Sequence, residues 1–305
     1  MRLLSSSLAF AVLLSGCATV PESPGSPATP ARQASDILDK SPASDWRTLD
    51  PRYTLYMDIP AGRIVIELAP LWAPASVENI RTLVREKYFD GLAVTRVQDN
   101  FVAQWGDPSE KKPLGSAKKT LPPEFTRAIT PDLPLVPLPD RDVYAPQTGY
   151  SGGFPAAWDP VANRAWLVHC YASVGVGRDN AEDSGNGAEL YTVIGNAPRI
   201  LDRNITVVGR IVRGIDLLSS LPRGTGNLGF YEKPEMHVPI RQVRLMADIP
   251  ESERVAIEIL RTDSDTFKAL VEARRYRKDD WYKVPAGAID VCANSIPTRT
   301  PKAAP

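Results

Sequence analysis

Alternating apolar and polar residues predict a series of short β-strands along most of the chain. Residues 53–59 and 63–68 alternate on either side of the turn Pro60-Ala61-Gly62, and this pattern predicts a β-hairpin. Further short apolar runs, bounded by glycine, proline or small polar residues, predict strands over 93–97, 101–105, 165–171, 190–194, 205–212 and 238–246. No regular alternation of strands with helices accompanies them, so we expect mainly antiparallel pairing.

Apolar residues recur at helical spacing in three segments. The first predicts a helix over 76–87, with Ser76 as its N-cap residue. The second is a short helix over 215–221, and the third lies near the C-terminus, where Thr262 and Asp265 resemble a capping box. Together, the elements predict an antiparallel sheet or barrel capped by helices.

Proline is the residue whose abundance changes this picture. The chain has 29 prolines in 305 residues, about twice the usual share of ~5%. Eleven of them lie between positions 108 and 160, and proline interrupts helices and central strands. We therefore expect a long, irregular proline-rich insertion over about 108–163 rather than a separate folded unit.

The N-terminus has the features of an export signal. A basic residue at position 2 precedes an apolar run over 3–14, which is too short to span a membrane as a helix. Leu14-Ser15-Gly16-Cys17 follows and resembles the bacterial lipobox, in which the cysteine is lipidated after cleavage. An ordinary secretory signal with a chance cysteine is the alternative. We predict a signal peptide over 1–16 and lipidation of Cys17.

The next segment predicts a tether and a location. Residues 17–50 are rich in proline, serine and alanine and cannot bury a core, so we expect them to space a folded part from the lipid. Alanine rather than aspartate follows Cys17, a pattern that resembles lipoproteins sent to the outer membrane. The prediction is a lipid-anchored protein of the bacterial cell envelope, facing the periplasm.

Charge and rare residues exclude several classes of protein. Thirty-six basic residues balance 36 acidic ones, which leaves no electrostatic footprint for nucleic acid. Two histidines and three cysteines are too few for multi-histidine or four-cysteine zinc sites, and no metal site is predicted. Cys170 and Cys292 remain after lipidation. An exported location permits a disulfide between them, but the sequence leaves open whether it forms.

His169 and Cys170 are the neighbouring residues that most suggest nucleophilic chemistry. They lie on one predicted strand, where adjacent side chains point to opposite faces. We therefore expect one of the two in the core and no thiol–imidazole dyad.

Several separated motifs resemble the cyclophilin-type peptidyl-prolyl cis-trans isomerases. Phe89-Asp-Gly-Leu-Ala-Val-Thr-Arg-Val97 and Phe101-Val-Ala-Gln-Trp-Gly-Asp-Pro108 fall where the family has Phe-His-Arg-Val and then Phe-Met-x-Gln-Gly-Gly-Asp. Gly187-Ala-Glu-Leu-Tyr191 and Leu201-Asp202 fall where it has Gly-Ser-Gln-Phe-Phe and Leu-Asp-Gly. The motifs keep the family order, and the resemblance covers about 53–246.

The resemblance implies a fold, a reaction and a domain layout. The fold is an eight-stranded antiparallel closed barrel capped by two helices, here at 51–246, with a C-terminal extension containing one helix at 247–305. The reaction is rotation about X–Pro bonds, whose uncatalysed barrier of ~18–20 kcal/mol arises from amide resonance. The family needs no cofactor or metal for it, and its partners are proline-containing unfolded or extended polypeptides.

The matching motifs also assign roles to residues of this chain. Arg96 corresponds to the arginine that stabilises the twisted amide, although a lone arginine between apolar strand residues also suits a surface ion pair. The residues that match the substrate groove are Phe101, Val102, Gln104, Glu189, Tyr191, Ile200 and Leu201. The apolar ones among them equally suit a plain core, and Gln104 suits a strand edge.

Four groove positions depart from the family pattern in ways that bear on function, and one of them is Val102, which replaces methionine and implies a different proline pocket. Glu189 replaces glutamine and brings a charge able to pair with Arg96; Tyr191 replaces phenylalanine. Ile200 stands where an aromatic residue is usual. These changes support a second hypothesis, a catalytically weak cyclophilin-like peptide-binding or chaperone module of the envelope. A third hypothesis is an envelope scaffold that works through its C-terminal segment.

The proline-rich insertion itself resembles a substrate of such a groove. Residues 121–139 contain several X–Pro bonds. Occupancy of the groove by this segment is therefore a further hypothesis, under which its deletion is expected to raise the affinity for a peptide.

Overall fold

The computed structural model describes residues 33–301. The predicted signal peptide, the predicted lipidation site at Cys17 and residues 17–32 of the predicted tether lie outside the described residues. The expectation that the tether buries no core is not met over 33–50, because Ile37, Trp46 and Leu49 are buried there. Within 33–301, no helix combines the length and the apolar character that a membrane span requires.

Helices and short strands alternate irregularly along the described part of the chain. The helices are α1 (Ala34–Asp39), α2 (Pro74–Arg85), α3 (Ile215–Ser219) and α4 (Asp265–Arg275). The strands are β1 (Trp46–Thr48), β2 (Thr54–Ile59), β3 (Gly62–Leu68), β4 (Ala93–Val97), β5 (Val102–Gly106), β6 (Leu135–Pro137), β7 (Gln147–Ser151), β8 (Phe154–Asp159), β9 (Arg164–Leu167), β10 (Ser173–Val176), β11 (Leu190–Val193), β12 (Val207–Arg213), β13 (Val238–Pro239), β14 (Gln242–Leu245), β15 (Glu258–Leu260) and β16 (Thr298–Arg299).

Nine of these strands form one curled antiparallel sheet in the order β13-β4-β5-β11-β10-β12-β3-β2-β14. Its two edge strands are consecutive pieces of the segment 238–245, which pairs with β4 at one edge and with β2 at the other. The chain changes partner between neighbouring residues, because Ile240 N–H donates to Leu92 O and Arg241 N–H donates to Asp58 O, each at 2.8 Å. The segment 238–245 therefore links the two edges of the sheet.

The prediction of a mainly β, antiparallel fold is confirmed, whereas the eight-stranded closed barrel with two helices is met only in part. The sheet has nine strands, and the two that link its edges are only two and four residues long. Further helices lie outside this sheet: α1 and α4 contact each other and belong to a second apolar cluster. These helices are formed by the segments before and after the predicted barrel. The apolar residues of the two segments pack against each other.

Helix α2 packs its apolar face into the core of the curled sheet. The residues whose spacing predicted the helix are at most 2% exposed: Val77, Ile80, Leu83 and Val84. The helix begins at Pro74, because the fixed φ of proline suits the first helical position. Ser76 is therefore not the N-cap residue. The free N–H groups of Ala75 and Ser76 instead donate to the carboxylate of Glu124, each at 2.9 Å.

The proline-rich insertion is not irregular throughout, and that expectation is wrong for 135–159, whereas β9 falls in the strand predicted over 165–171. Strands β6 to β9 form a four-stranded antiparallel sheet in sequential order. Its prolines lie in the edge strand β6 and at the start of β8, where a missing N–H is tolerated. Gly152 and Gly153 both have positive φ, and they form the two-residue turn of the β7–β8 hairpin.

The C-terminal part of the chain contains α4 and packs beside the insertion. Ser264 Oγ accepts the N–H of Phe267 at 3.1 Å, so Ser264 rather than Thr262 is the N-cap residue. Phe267 lies edge-on against Tyr150 of β7, with ring centroids 4.9 Å apart. A disulfide joins Cys170 to Cys292, which resolves the pairing that the sequence left open.

Candidate functional site

A groove on the curled sheet brings together most of the predicted site residues. Its volume is about 660 Å³, and its walls come from β4, β5 and β11, from the segment 107–120 and from the loop 177–189. The predicted residues that line it are Arg96, Phe101, Val102, Gln104, Glu189, Tyr191 and Leu201. Ile200 is not among the lining residues, and its side chain is 75% exposed.

Strand alternation explains why these side chains share one face. Ala103 and Trp105 of β5 lie in the core inside the curled sheet. Val102 and Gln104 alternate with them and therefore face the groove. Tyr191 pairs directly with Gln104 across the β5–β11 ladder, so the two side chains emerge on the same face.

Arg96 extends across the groove floor and is fixed by three acceptors. Its Nε donates to Leu228 O at 2.7 Å, and its Nη1 donates to Gln104 Oε1 at 3.0 Å. Its Nη2 donates to Gln98 Oε1. A guanidinium has five N–H donors, so two remain for a bound molecule. The arginine is thus an immobilised cation with unused donors, not one partner of a surface ion pair.

Two aromatic rings flank this guanidinium. The Arg96 Cζ atom lies 5.7 Å from the ring centroid of Phe101 and 5.4 Å from that of Phe230. Burial lowers the pKa of Arg96, and the charge of Glu189 opposes that shift. The ordinary pKa of arginine is so high that the side chain keeps its positive charge at neutral pH.

Glu189 is connected to Arg96 through Gln104. Gln104 Nε2 donates to Glu189 Oε2, while the Oε1 of the same amide accepts from Arg96. Among the described residues no direct ion pair joins Glu189 and Arg96, so the predicted pairing is indirect. Burial raises the pKa of Glu189, and the nearby charges of Glu110 and Asp107 act in the same direction against the Gln104 hydrogen bond.

Tyr191 forms part of the groove wall and turns its hydroxyl away from solvent. The residue is 5% exposed, and its hydroxyl is 2.9 Å from Nε2 of His169. Gly175 makes room for the ring, because a Cβ at that position would lie 2.3 Å from Tyr191 Cζ. His169 and Cys170 are both buried, rather than one of the pair alone, and Cys170 is part of a disulfide, so the two form no thiol–imidazole dyad.

Some residues of the groove had no signal in the sequence. Leu228 supplies a backbone acceptor to Arg96 from a left-handed conformation with φ +55°, and Phe230 forms an isolated bridge with Arg96. Both belong to a turn more than 120 residues after Arg96 in the chain. Glycines at 224, 226 and 229 mark a turn there in the sequence, but nothing local connects it to Arg96.

The insertion reaches the groove through its first residues, not through 121–139. The lining residues from this part of the chain are Asp107, Pro108, Glu110, Lys112, Leu114, Lys119 and Thr120. In contrast, Glu124 binds the start of α2, and residues 135–137 form β6. The hypothesis that 121–139 occupy the groove is therefore wrong, because this segment packs against other elements.

No group of three or more histidine, cysteine or acidic side chains within 33–301 is arranged to hold a metal ion. The groove itself presents a fixed cation beside an apolar pocket, with amide and carboxylate groups next to it.

Comparisons with known proteins cover the same part of the chain. Residues 54–245 match the family model described as "Cyclophilin type peptidyl-prolyl cis-trans isomerase/CLD". A "Probable peptidyl-prolyl cis-trans isomerase" of Brucella suis is 27% identical over 177 residues, which cover 58% of this chain and 74% of that protein. A "Peptidyl-prolyl cis-trans isomerase-like 1" of Gibberella zeae is 23% identical over 194 residues, which cover 64% of this chain and 95% of that protein.

One solved structure is similar beyond the residues of the family match. The crystal structure of cyclophilin AquaCyp293 from Hirschia baltica has a TM-score of 0.66 and 27% sequence identity to this chain. The similarity covers 83% of this chain and 92% of that one. This share exceeds the part of the chain between 54 and 245, so the likeness includes residues outside the family match.

Proposed function

Because the chain belongs to the cyclophilin-type peptidyl-prolyl cis-trans isomerases, we propose that its groove binds an X–Pro segment of an extended polypeptide and accelerates rotation about that bond. The proline ring packs against the apolar wall that Phe101, Val102, Tyr191 and Leu201 form. The guanidinium of Arg96 then lies beside the amide that rotates.

The reaction requires stabilisation of a twisted amide. In the planar ground state the nitrogen lone pair is delocalised, and this resonance produces the barrier of ~18–20 kcal/mol. When the bond twists, the lone pair localises on a pyramidal nitrogen and accepts a hydrogen bond. A donor aimed at that nitrogen therefore binds the transition state more strongly than the ground state.

The observation that carries this proposal is the fixed position of Arg96 between Phe101 and Phe230 on the groove floor. Because Leu228 O and Gln104 already orient the guanidinium, little reorganisation is needed when the amide twists. A hydrogen bond from a charged donor contributes about 1.5–3 kcal/mol. That contribution corresponds to roughly 10- to 100-fold in rate.

The test is isomerisation of a short X–Pro peptide by the wild type and by Arg96→Ala. We expect kcat/KM to fall roughly 10- to 100-fold. Arg85→Ala is the matched control, because Arg85 pairs with Asp248 at the surface and is not a groove residue. A wild type as slow as Arg96→Ala would contradict the role of Arg96 in catalysis.

A second candidate function is supported by the same contacts. Three N–H groups of Arg96 are already bonded to the protein, and Glu189 lies next to the amide that holds it. In this alternative the groove binds proline-containing segments without much turnover, as a chaperone-like module. Peptide binding that survives in the wild type without measurable isomerisation would favour it over the first proposal.

We further propose that the protein acts on client chains in the bacterial envelope, where Cys17 anchors it by a lipid to the outer membrane. The lipobox-like sequence at 14–17 supports this location. The disulfide between Cys170 and Cys292 supports it as well, because disulfides persist in oxidising compartments. We expect the wild type in the membrane fraction and Cys17→Ser in the soluble periplasm. Equal membrane association of both would contradict lipidation at Cys17.

A further inference from the structure

Behind the groove wall, five buried side chains form one continuous series of hydrogen bonds. It begins at the hydroxyl of Tyr191, which is 2.9 Å from Nε2 of His169. The other ring nitrogen of His169, Nδ1, lies 2.9 Å from Oδ1 of Asp202. Because a carboxylate only accepts hydrogen bonds, Nδ1 carries the proton of that contact.

The series continues from Asp202 to the insertion. Arg199 Nε donates to Asp202 Oδ2 at 2.6 Å. The two terminal nitrogens of Arg199 donate to the carboxylate of Asp142 at 2.9 and 3.1 Å. Asp142 belongs to the part of the insertion between β6 and β7, so the series connects the insertion to the groove wall.

These contacts are shielded from water. The side chains of His169, Asp202, Arg199 and Asp142 are 0, 4, 4 and 5% exposed. Burial alone would raise the pKa of Asp202, but the hydrogen bonds from His169 and Arg199 hold that pKa below its ordinary value. Asp202 is therefore a charged acceptor that fixes the orientation of the histidine ring.

A plain apolar wall would not need this arrangement. Buried charges are costly unless each one is paired, so an apolar residue at 191 with apolar support would pack at lower cost. Tyr191 instead has a hydroxyl that must find a partner when buried. That partner is His169: the Tyr191 ring lies over Gly175, and its plane is 8° from that of the His169 ring.

We propose that His169 is a positioning residue for the groove: through the hydroxyl of Tyr191 it fixes the aromatic wall against which the substrate proline packs. Arg199 and Asp142 extend this support into the insertion, so the insertion helps to shape the groove. This inference rests on the proposed function for the identity of the ligand. The contacts that carry it are independent of Arg96.

The consequence of losing His169 follows from the same contacts. Without its partner, the Tyr191 hydroxyl is a buried, unpaired polar group, which is unfavourable. We expect the ring to turn toward the open groove, where solvent can bind its hydroxyl and where the ring blocks the place of the proline ring. The effect depends on the hydroxyl, so it disappears when the tyrosine is replaced by phenylalanine.

The experiment is a double-mutant cycle on the full chain with a short X–Pro peptide. His169→Leu, Tyr191→Phe and the double variant are compared by KM, by kcat and by the Kd from calorimetric titration. We expect His169→Leu to raise KM and Kd about 5- to 10-fold in the wild-type background, with kcat changed less than about twofold. In the Tyr191→Phe background the same substitution is expected to change Kd less than about twofold.

Two further variants complete the design. His237→Leu is the matched control, since His237 is not a groove residue, and we expect its Kd to equal that of the wild type. Asp142→Asn removes the charge at the far end of the series while His169 and Tyr191 stay intact. We expect it to raise Kd in the same direction as His169→Leu, but by a smaller factor.

Each outcome decides the question. An equal weakening by His169→Leu in both backgrounds, or no weakening in either, would overturn the positioning role. If His169→Leu does not fold, an unchanged Kd for Asp142→Asn overturns the proposal and a raised Kd supports it. If the wild type shows no turnover, the proposed isomerase reaction is contradicted but the positioning role of His169 is not. The Kd values still test that role, because they measure peptide binding at the groove wall.

Discussion

At the scale of single residues, Glu189 is the position where burial and charge conflict. Its carboxyl group lies beside Gln104 and near the charges of Glu110 and Asp107, and burial raises its pKa. A raised pKa means that the folded protein binds this proton more tightly than the unfolded chain does. At a pH above the folded pKa of Glu189, the ionised carboxylate therefore lowers the free energy of unfolding. This destabilisation disappears as the pH falls toward the ordinary pKa of glutamate.

Glu189→Gln is expected to stabilise the protein at neutral pH. Glutamine keeps an acceptor for Gln104 without the charge, so the melting temperature should rise by about 2 °C or more at pH 7. The gain should shrink as the pH falls to about 4, because Glu189 then becomes largely protonated in the unfolded chain as well as in the folded protein. Thermal unfolding between pH 4 and 8 measures it, with exposed Glu182→Gln as the control. A gain that does not vary with pH would contradict the explanation.

At the scale of elements, the insertion stabilises helix α2, which packs into the core of the curled sheet. Glu124 provides both carboxylate oxygens to the start of the helix, where the free N–H groups and the helix dipole favour a negative charge. The Oγ of Ser76 donates to the same carboxylate at 2.7 Å. The proline-rich insertion thus supplies the cap that the helix itself lacks.

Removal of this cap should destabilise the protein measurably. We expect Glu124→Ala to lower the free energy of unfolding by about 1–2 kcal/mol, because two N–H groups lose a charged acceptor. Urea unfolding measures the change, and Glu182→Ala serves as an exposed control. If the two variants unfold at the same urea concentration, Glu124 does not act as a cap.

At the scale of the whole molecule, one covalent bond joins the curled sheet to the C-terminal part of the chain. Cys170 lies between β9 and β10, and Cys292 lies 122 residues later. Around it, the α4 residues Phe267, Leu270 and Val271 pack with Trp46 of β1. The C-terminal part is therefore a component of the folded structure.

Loss of the disulfide should weaken the whole fold. A crosslink that closes so long a loop restricts the unfolded chain, and its removal typically costs about 2–5 kcal/mol. We expect Cys292→Ser to unfold at a lower urea concentration, and a reducing agent to shift the wild type toward the variant. The variant itself should not respond to the reducing agent. An unchanged wild type under reduction would contradict a stabilising role.

Features that depend on residues near each other in the chain could be predicted from the amino-acid sequence. Alternation predicted the hairpin of β2 and β3, and helical spacing predicted the buried face of α2, because both periods follow from backbone geometry. The resemblance to the cyclophilin family assigned Arg96, Phe101 and Gln104 to the groove, and the direct pairing of β4 with β5 brings Arg96 and Gln104 together. In the insertion, the same local rules failed because edge strands and strand ends tolerate proline.

Contacts between groups that are distant in the chain could not be predicted in this way, because they depend on three-dimensional packing. Leu228 O reaches Arg96, Glu124 caps α2, and Cys170 pairs with Cys292, although no local pattern marks any of these partners. The same holds for the hydroxyl of Tyr191, whose partner His169 lies on a different segment. Periodicity tells which face a side chain occupies, but packing alone determines what lies opposite, because a buried polar group binds whichever partner the fold brings within reach.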